Sequence, residues 1–166
     1  MSVVCVKNYK DQIVMCADSI MVRGWTKYPD TDFAKIEEIN GMIMGGCGYA
    51  KESSLMWHYM RTHKPSKATE RDVLQFMIEF SEWKATILGD VSDIANDYIL
   101  AYEDKVFEIS GLFVKEVTDF AAIGAGADYA NSALYLGHSP RKAVETACAL
   151  CCMVSEPIIE KTLMKE

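Results

Sequence analysis

Asn40-Gly41 is the most restrictive pair of residues in this chain. It separates "FAKIEEI" (33–39) from "MIMGGCG" (42–48). Asn-Gly between two apolar-rich runs is the strongest short hairpin signal, because a type I′ turn needs φ > 0 at both central residues. The pair therefore predicts two antiparallel neighbours in register. Glycines in the return strand mark a close backbone approach or a sharp exit. A second hairpin stands at the start of the chain. There "SVVCVKN" and "QIVMCAD" flank a turn near 9–11, and both runs are rich in β-branched residues.

The remaining elements come in blocks. A helix is predicted over 49–63, ending before Pro65, and a second over about 70–88. Thr69 and Asp72 resemble a capping box at the start of the second helix. Val73, Phe76, Phe80, Trp83 and Ile87 form an apolar stripe at helical spacing along it. Short strands follow over 97–103, 106–110, 112–117 and 120–124. "GAGADYANSALYLG" opens a third helix that ends at Gly137. Ser139-Pro140 supplies an N-cap and a first-turn proline for a fourth helix over about 140–154. Pro157 stops it, and "IIEKTL" reads as a last edge strand. Residues 19–32 read as an irregular connector. Blocks of strands and helices, without βαβ alternation, predict an α+β chain of antiparallel sheets with helices packed outside them. One domain over 1–166 is expected from the length.

Composition narrows the function classes. The formal charge of -7 argues against nucleic acid as a partner, since phosphate binding needs clustered Lys and Arg. The longest apolar run, "ACALCCMV" (147–154), is far short of the ~20 residues that span a bilayer. No basic start with a long apolar core marks a signal peptide, so a cytoplasmic location and no membrane partner are expected. Cys5, Cys16, Cys47, Cys148, Cys151 and Cys152 are then expected to be reduced. Cys148, Cys151 and Cys152 are spaced i, i+3, i+4, one face of a helix, but no second ligand pair has zinc spacing. They are read as small core residues, with no metal and no cofactor expected.

Three segments carry a more specific signal: "KDQIVMCADS", "KIEEINGMIMGGCG" and "AIGAGADYA". With the block order, they make the chain resemble the proteasome β subunits and the bacterial heat-shock-locus peptidase (HslV type). Both are N-terminal nucleophile (Ntn) hydrolases. The resemblance implies a four-layer αββα sandwich of two antiparallel sheets, with the N-terminus buried in a cleft between them. It also implies stacked homo-oligomeric rings that enclose the sites, an ATPase unfoldase as partner, and unfolded polypeptide as substrate.

The chemistry can be read residue by residue. A serine hydroxyl is a weak nucleophile until a base takes its proton. An N-terminal residue brings its own base, an α-amine with a reference pKa of about 7.7–8.0. Ser2 fills both roles once Met1 is removed, and its small side chain suits that removal. Asp18 lies 16 residues after Ser2, the family's spacing between nucleophile and aspartate. Lys35 stands where the family has its catalytic lysine, one residue later than in the bacterial peptidase. Phe33 and Ile39 share its face by strand parity, which points it inward. Gly46, with Gly48 as the alternate, is the candidate backbone donor to an oxyanion. Ile20, Met21 and Val22 match the segment that pairs with an extended peptide substrate. Met44 and Gly45 are expected in the pocket for the residue before the scissile bond, which is read as apolar.

The chain departs from the family at three points. Ser2 replaces threonine, "GAG" with Ala125 replaces "GSG", and Met153 stands where an aspartate is expected. Aligning "VVCV" by apolar pattern instead places Met1 on the nucleophile position. An alternative reading is therefore a catalytically inactive ring-forming or binding subunit that keeps Met1. A non-proteolytic amide hydrolase of the same superfamily is a more remote one.

Overall fold

The Asn40-Gly41 turn forms as its sequence demands. Both residues have positive φ, 55° and 76°, and the turn joins β5 (Ile36–Ile39) to β6 (Met42–Cys47). The computed structural model describes residues 2–28, 33–89 and 93–166. In it the first hairpin is β1 (Val4–Asn8) and β2 (Gln12–Asp18). The later strands are β7 (Asp97–Tyr102), β8 (Lys105–Ser110), β9 (Phe113–Glu116), β10 (Phe120–Ile123) and β11 (Ile158–Met164). The helices are α1 (Ala50–Met60), α2 (Glu70–Leu88), α3 (Ala127–Tyr135) and α4 (Pro140–Leu150).

Two antiparallel sheets result. One has the order β10-β1-β2-β11, which puts the final strand at an edge, and the other runs β5-β6-β7-β8-β9. Their register follows from side chains that alternate between two buried faces. Val4, Val6, Ile13 and Met15 of the first sheet meet Ile36, Ile43, Ile99 and Val106 of the second. Val3, Cys5 and Cys16 point the other way, onto Ala130, Leu134, Val144 and Ala147 of α3 and α4. Met42, Met44, Tyr98 and Leu100 likewise face Trp57, Met60, Phe76 and Phe80 of α1 and α2. Three apolar layers thus separate four layers of structure, giving the αββα sandwich. Because the strands are buried on both faces, they read as continuous apolar runs instead of alternating ones.

The helix ends follow their local chemistry. The Thr69 hydroxyl accepts the Asp72 N–H at 3.2 Å, and the Ser139 hydroxyl accepts the Lys142 N–H at 3.3 Å. Among the described residues no helix is long and apolar enough to cross a membrane.

Four expectations need correction. The connector over 19–32 is not wholly irregular: β3 (Met21–Arg23) and β4 (Thr26–Tyr28) pair as a ribbon, and 29–32 lie outside the described residues. The turn between the ribbon's strands uses Gly24 at φ +59. The α2 stripe runs out before its end, since Ile87 is exposed. Helix α4 stops at Leu150, so Cys151 is its cap and Cys152 lies beyond it, and the three cysteines do not share a helix face. Lys35 precedes β5 instead of lying within it.

The "GAG" loop after β10 shows why the start of the chain is fixed in place. Gly124 has φ +94, and a Cβ there would stand 2.3 Å from the Ser2 carbonyl oxygen. Gly126 donates its N–H to that oxygen at 3.2 Å, and a Cβ on it would stand 2.9 Å from Val3 Cβ. Gly124→Ala should therefore lower stability by roughly 2–4 kcal/mol, through φ strain plus overpacking. Gly137→Ala, at φ +89 with open space around it, should cost only about 1 kcal/mol. Urea denaturation of the two variants checks the contrast; equal losses would contradict the close approach at Ser2.

Candidate active site

The start of β1, the end of β2 and the entry to β5 converge on one buried carboxylate. Asp18 is fully buried. Its Oδ1 accepts the Val3 N–H at 2.9 Å, and its Oδ2 accepts the Lys35 ammonium at 2.8 Å. Its own N–H donates to the Val3 carbonyl at 3.2 Å. Asp18 therefore fixes the residue after Ser2 from both sides while holding Lys35 across the sheets. Removing two charges from water is costly unless their geometry and hydrogen bonds compensate, and here the pair is close and further bonded.

Strand parity reaches the right burial for Lys35 by the wrong route. Ile36 packs between the sheets, whereas Ile39 packs toward α1 and α2. Lys35 lies just before the regular strand, and its ammonium reaches the first sheet through Asp18.

A cleft of about 620 Å³ opens beside this pair. Ser2, Lys35 and Gly46 line it together with Ile20, Met21 and Val22. Ser2 is only 5 % exposed and belongs to the cleft wall. Asp18 lies beneath the surface and acts on the cleft through Lys35 and Val3. Seven of the residues singled out in the sequence, Gly48 among them, thus share one concavity.

Two do not. Met44 is buried in the layer against α1 and α2, and Gly45 faces Val4 and Met15 between the sheets. The alternation along β6 sends Gly46 toward Tyr98 and Ser53 instead. Gly46 carries a further constraint: its N–H donates to the Lys35 carbonyl at 2.9 Å. The alternate glycine, Gly48, also lines the cleft and has φ +138.

Cys47 lies close by but is not a competing nucleophile. Burial pushes its thiol up to about 12, partly offset by the Lys35 charge, so it stays protonated at neutral pH. Its Sγ–H donates to the Ile123 carbonyl at 3.6 Å.

By sequence, the chain matches no protein-family model and no curated protein. By structure it has close counterparts. Thiobacillus denitrificans BPH matches with a TM-score of 0.88 at 17 % identity, covering 99 % of this chain and 98 % of that one. The same protein in complex with epoxomicin matches with a TM-score of 0.88 at 17 % identity, covering 99 % of each chain. Eukaryotic HslV from Trypanosoma brucei matches with a TM-score of 0.74 at 17 % identity, covering 98 % of this chain and 99 % of that one. The fold is HslV-type. At this identity the likeness speaks for architecture, and the chemistry rests on the residues.

The HslV-type fold also brings in residues the sequence reading missed. Arg23, Tyr49, Ala50 and Ser53 complete the cleft lining. Behind its α1 wall lies a second buried ion pair, Glu52–Lys84 at 2.8 Å. One signal for it was present: Lys84 follows Val73, Met77 and Phe80 at helical spacing, a charge on an apolar stripe. Glu52 gave no signal, since an acidic residue in a first turn is ordinary.

Lys35→Met would leave the Asp18 charge buried without its counter-ion. The expected loss is roughly 3–5 kcal/mol, as for other broken buried pairs. Asp18→Asn/Lys35→Met together should be more stable than Lys35→Met alone. Urea denaturation of the single and double variants measures the coupling; strictly additive losses would mean the pair does not act as a unit.

Proposed function

We propose that this chain is an N-terminal-nucleophile peptidase with Ser2 as nucleophile, exposed by removal of Met1. The observation that carries the reading is the placement of Ser2 on the wall of a 620 Å³ cleft, beside Lys35 held by Asp18. The Ser2 hydroxyl gives its proton to the α-amine and attacks the carbonyl carbon of a peptide bond. The oxyanion is held by a backbone N–H of the β6 exit, at Gly48 or at Gly46. Collapse breaks the C–N bond, and the leaving amine takes the proton from the α-ammonium. Water then attacks the Ser2 ester, releasing the acid and restoring the hydroxyl.

In this reading Lys35 keeps a positive field beside the nucleophile, and Asp18 orients both Lys35 and the backbone at Val3. Ile20, Met21 and Val22 pair with extended, unfolded polypeptide. Assembly is into homo-oligomeric rings that enclose the sites, fed by an ATPase unfoldase. The HslV-type fold supports that assembly by analogy of architecture.

One observation favours a second reading, a ring-forming or binding subunit without activity. The Gly46 N–H already serves the Lys35 carbonyl, so that donor is engaged in the absence of substrate. Met1, on which this alternative turns, lies outside the described residues.

Intact mass of the protein from its own host should show Met1 removed. Cleavage of an unstructured protein such as casein should then fall by on the order of a thousandfold or more in Ser2→Ala. Epoxomicin, the ligand of the T. denitrificans BPH complex, should block the wild type. The rate should rise with pH as the α-amine loses its proton, since only the neutral amine is a base; for an ordinary amine the rise centres near pH ~8. Full retention of Met1, or undiminished cleavage by Ser2→Ala, would overturn the peptidase reading.

A further inference from the structure

The α1 wall of the cleft is held by a buried polar network that the scheme above does not use. Glu52 lies in the first turn of α1 and is 6 % exposed. Its Oε2 accepts Lys84 Nζ at 2.8 Å and the Ala95 N–H at 3.1 Å. Its Oε1 accepts the Asn96 N–H at 2.9 Å and the Tyr98 hydroxyl at 3.3 Å. Lys84 also donates to the Asp93 carbonyl. The segment entering β7 is thereby strapped to the start of α1.

Asn96 is fully buried and passes this order on to the cleft. Its Oδ1 accepts the Tyr49 N–H at 2.6 Å. Its Nδ2 donates to the Tyr49 carbonyl and to the Ser53 hydroxyl, each at 3.0 Å. Both backbone polar groups of Tyr49 are thus held by one side chain. Oδ1 also stands 2.1 Å from where a Cβ on Gly48 would be. Asn96 occupies the space that glycine vacates, at a backbone angle few other residues adopt. The same Glu52 carboxylate holds Tyr98, whose ring would stand 3.0 Å from a Cβ on Gly46. Both candidate oxyanion donors rest on groups that Glu52 fixes.

We infer that Asn96, held by the Glu52–Lys84 pair, is a positioning residue that fixes the Gly48–Tyr49 backbone in the geometry needed to stabilise the oxyanion. It touches no substrate and acts through the backbone of the cleft wall. Oxyanion stabilisation depends on donors fixed before the reaction, so loosening them should lower the rate of the chemical step more than substrate binding. The inference rests on the peptidase reading.

The test uses the full chain with Met1 removed, an unstructured peptide substrate, and amide hydrogen exchange across residues 44–53. Asn96→Ala should lower kcat at least tenfold with KM within about threefold, and should speed exchange at Tyr49. Asn96→Asp matches the side chain in size and keeps the acceptor for the Tyr49 N–H, but it replaces the Nδ2 donor with an oxygen set against the Tyr49 carbonyl. It should retain slow Tyr49 exchange and an intermediate kcat, and it serves where Asn96→Ala fails to unfold cooperatively. Faster Tyr49 exchange with unchanged kcat in Asn96→Ala would overturn the inference, leaving a role in folding alone. A loss confined to KM in either variant would overturn it too. Absence of cleavage by the wild type would instead overturn the peptidase reading, and is told apart because it needs no variant.

Discussion

The Asp18–Lys35 pair is the constraint around which the site is arranged. Apolar packing alone brings two sheets face to face and fixes which residues point inward. It does not fix the depth at which the residues just before the first strand sit beside the cleft. Asp18 does that through two hydrogen bonds with Val3, and its remaining oxygen reaches Lys35 at the entry to the other sheet. A hydrophobic replacement of similar volume could match the stability of such a pair. It could not place an ammonium beside Ser2. Position and charge sign, more than net energy, account for a buried ion pair here.

The glycines of "GAG" complete the same constraint from the opposite side. Gly124 allows backbone to approach the Ser2 carbonyl, and Gly126 supplies its hydrogen bond. Ser2 therefore belongs to β1 mechanically, yet it lies beyond the regular ladder that begins at Val4. Its carbonyl is held by Gly126 at the start of α3 while the residue lines the cleft.

How legible this was in the sequence depended on whether a residue's role was local. Asn40-Gly41, Thr69 and Ser139-Pro140 act on their own neighbours, and their turn and caps formed where expected. The residues at 2, 18, 20–22, 35 and 46 were singled out by their places in family-like segments, and the fold brings all of them but the buried Asp18 to one cleft. Met44 and Gly45 were misplaced: Gly45 alternates with Gly46 along β6 and so faces the layer between the sheets, whereas Met44 shares the Gly46 face but lies two residues further into the strand, where α1 and α2 cover it. The β3–β4 ribbon was missed because its short strands are exposed and lack apolar alternation. Asn96 and Glu52 were missed because their partners are 47 and 32 residues away in sequence, and nothing local distinguishes them.

The cleft is thus bounded by two buried ion pairs with different tasks. Asp18–Lys35 lies on the Ser2 side and puts charge at the cleft wall. Glu52–Lys84 lies behind α1, and its order reaches the cleft through neutral groups, the Asn96 amide and the Tyr98 ring. This division follows from electrostatics. A second free cation near Ser2 would compete with Lys35 for Asp18, whereas a cation already bound to Glu52 and the Asp93 carbonyl has its charge offset locally. The glycines at 46 and 48 face this second network because only residues without Cβ leave room for Tyr98 and Asn96 to sit directly against the backbone. Rigid backbone in the cleft wall and absence of side chains there are therefore one feature, set by what is packed behind it.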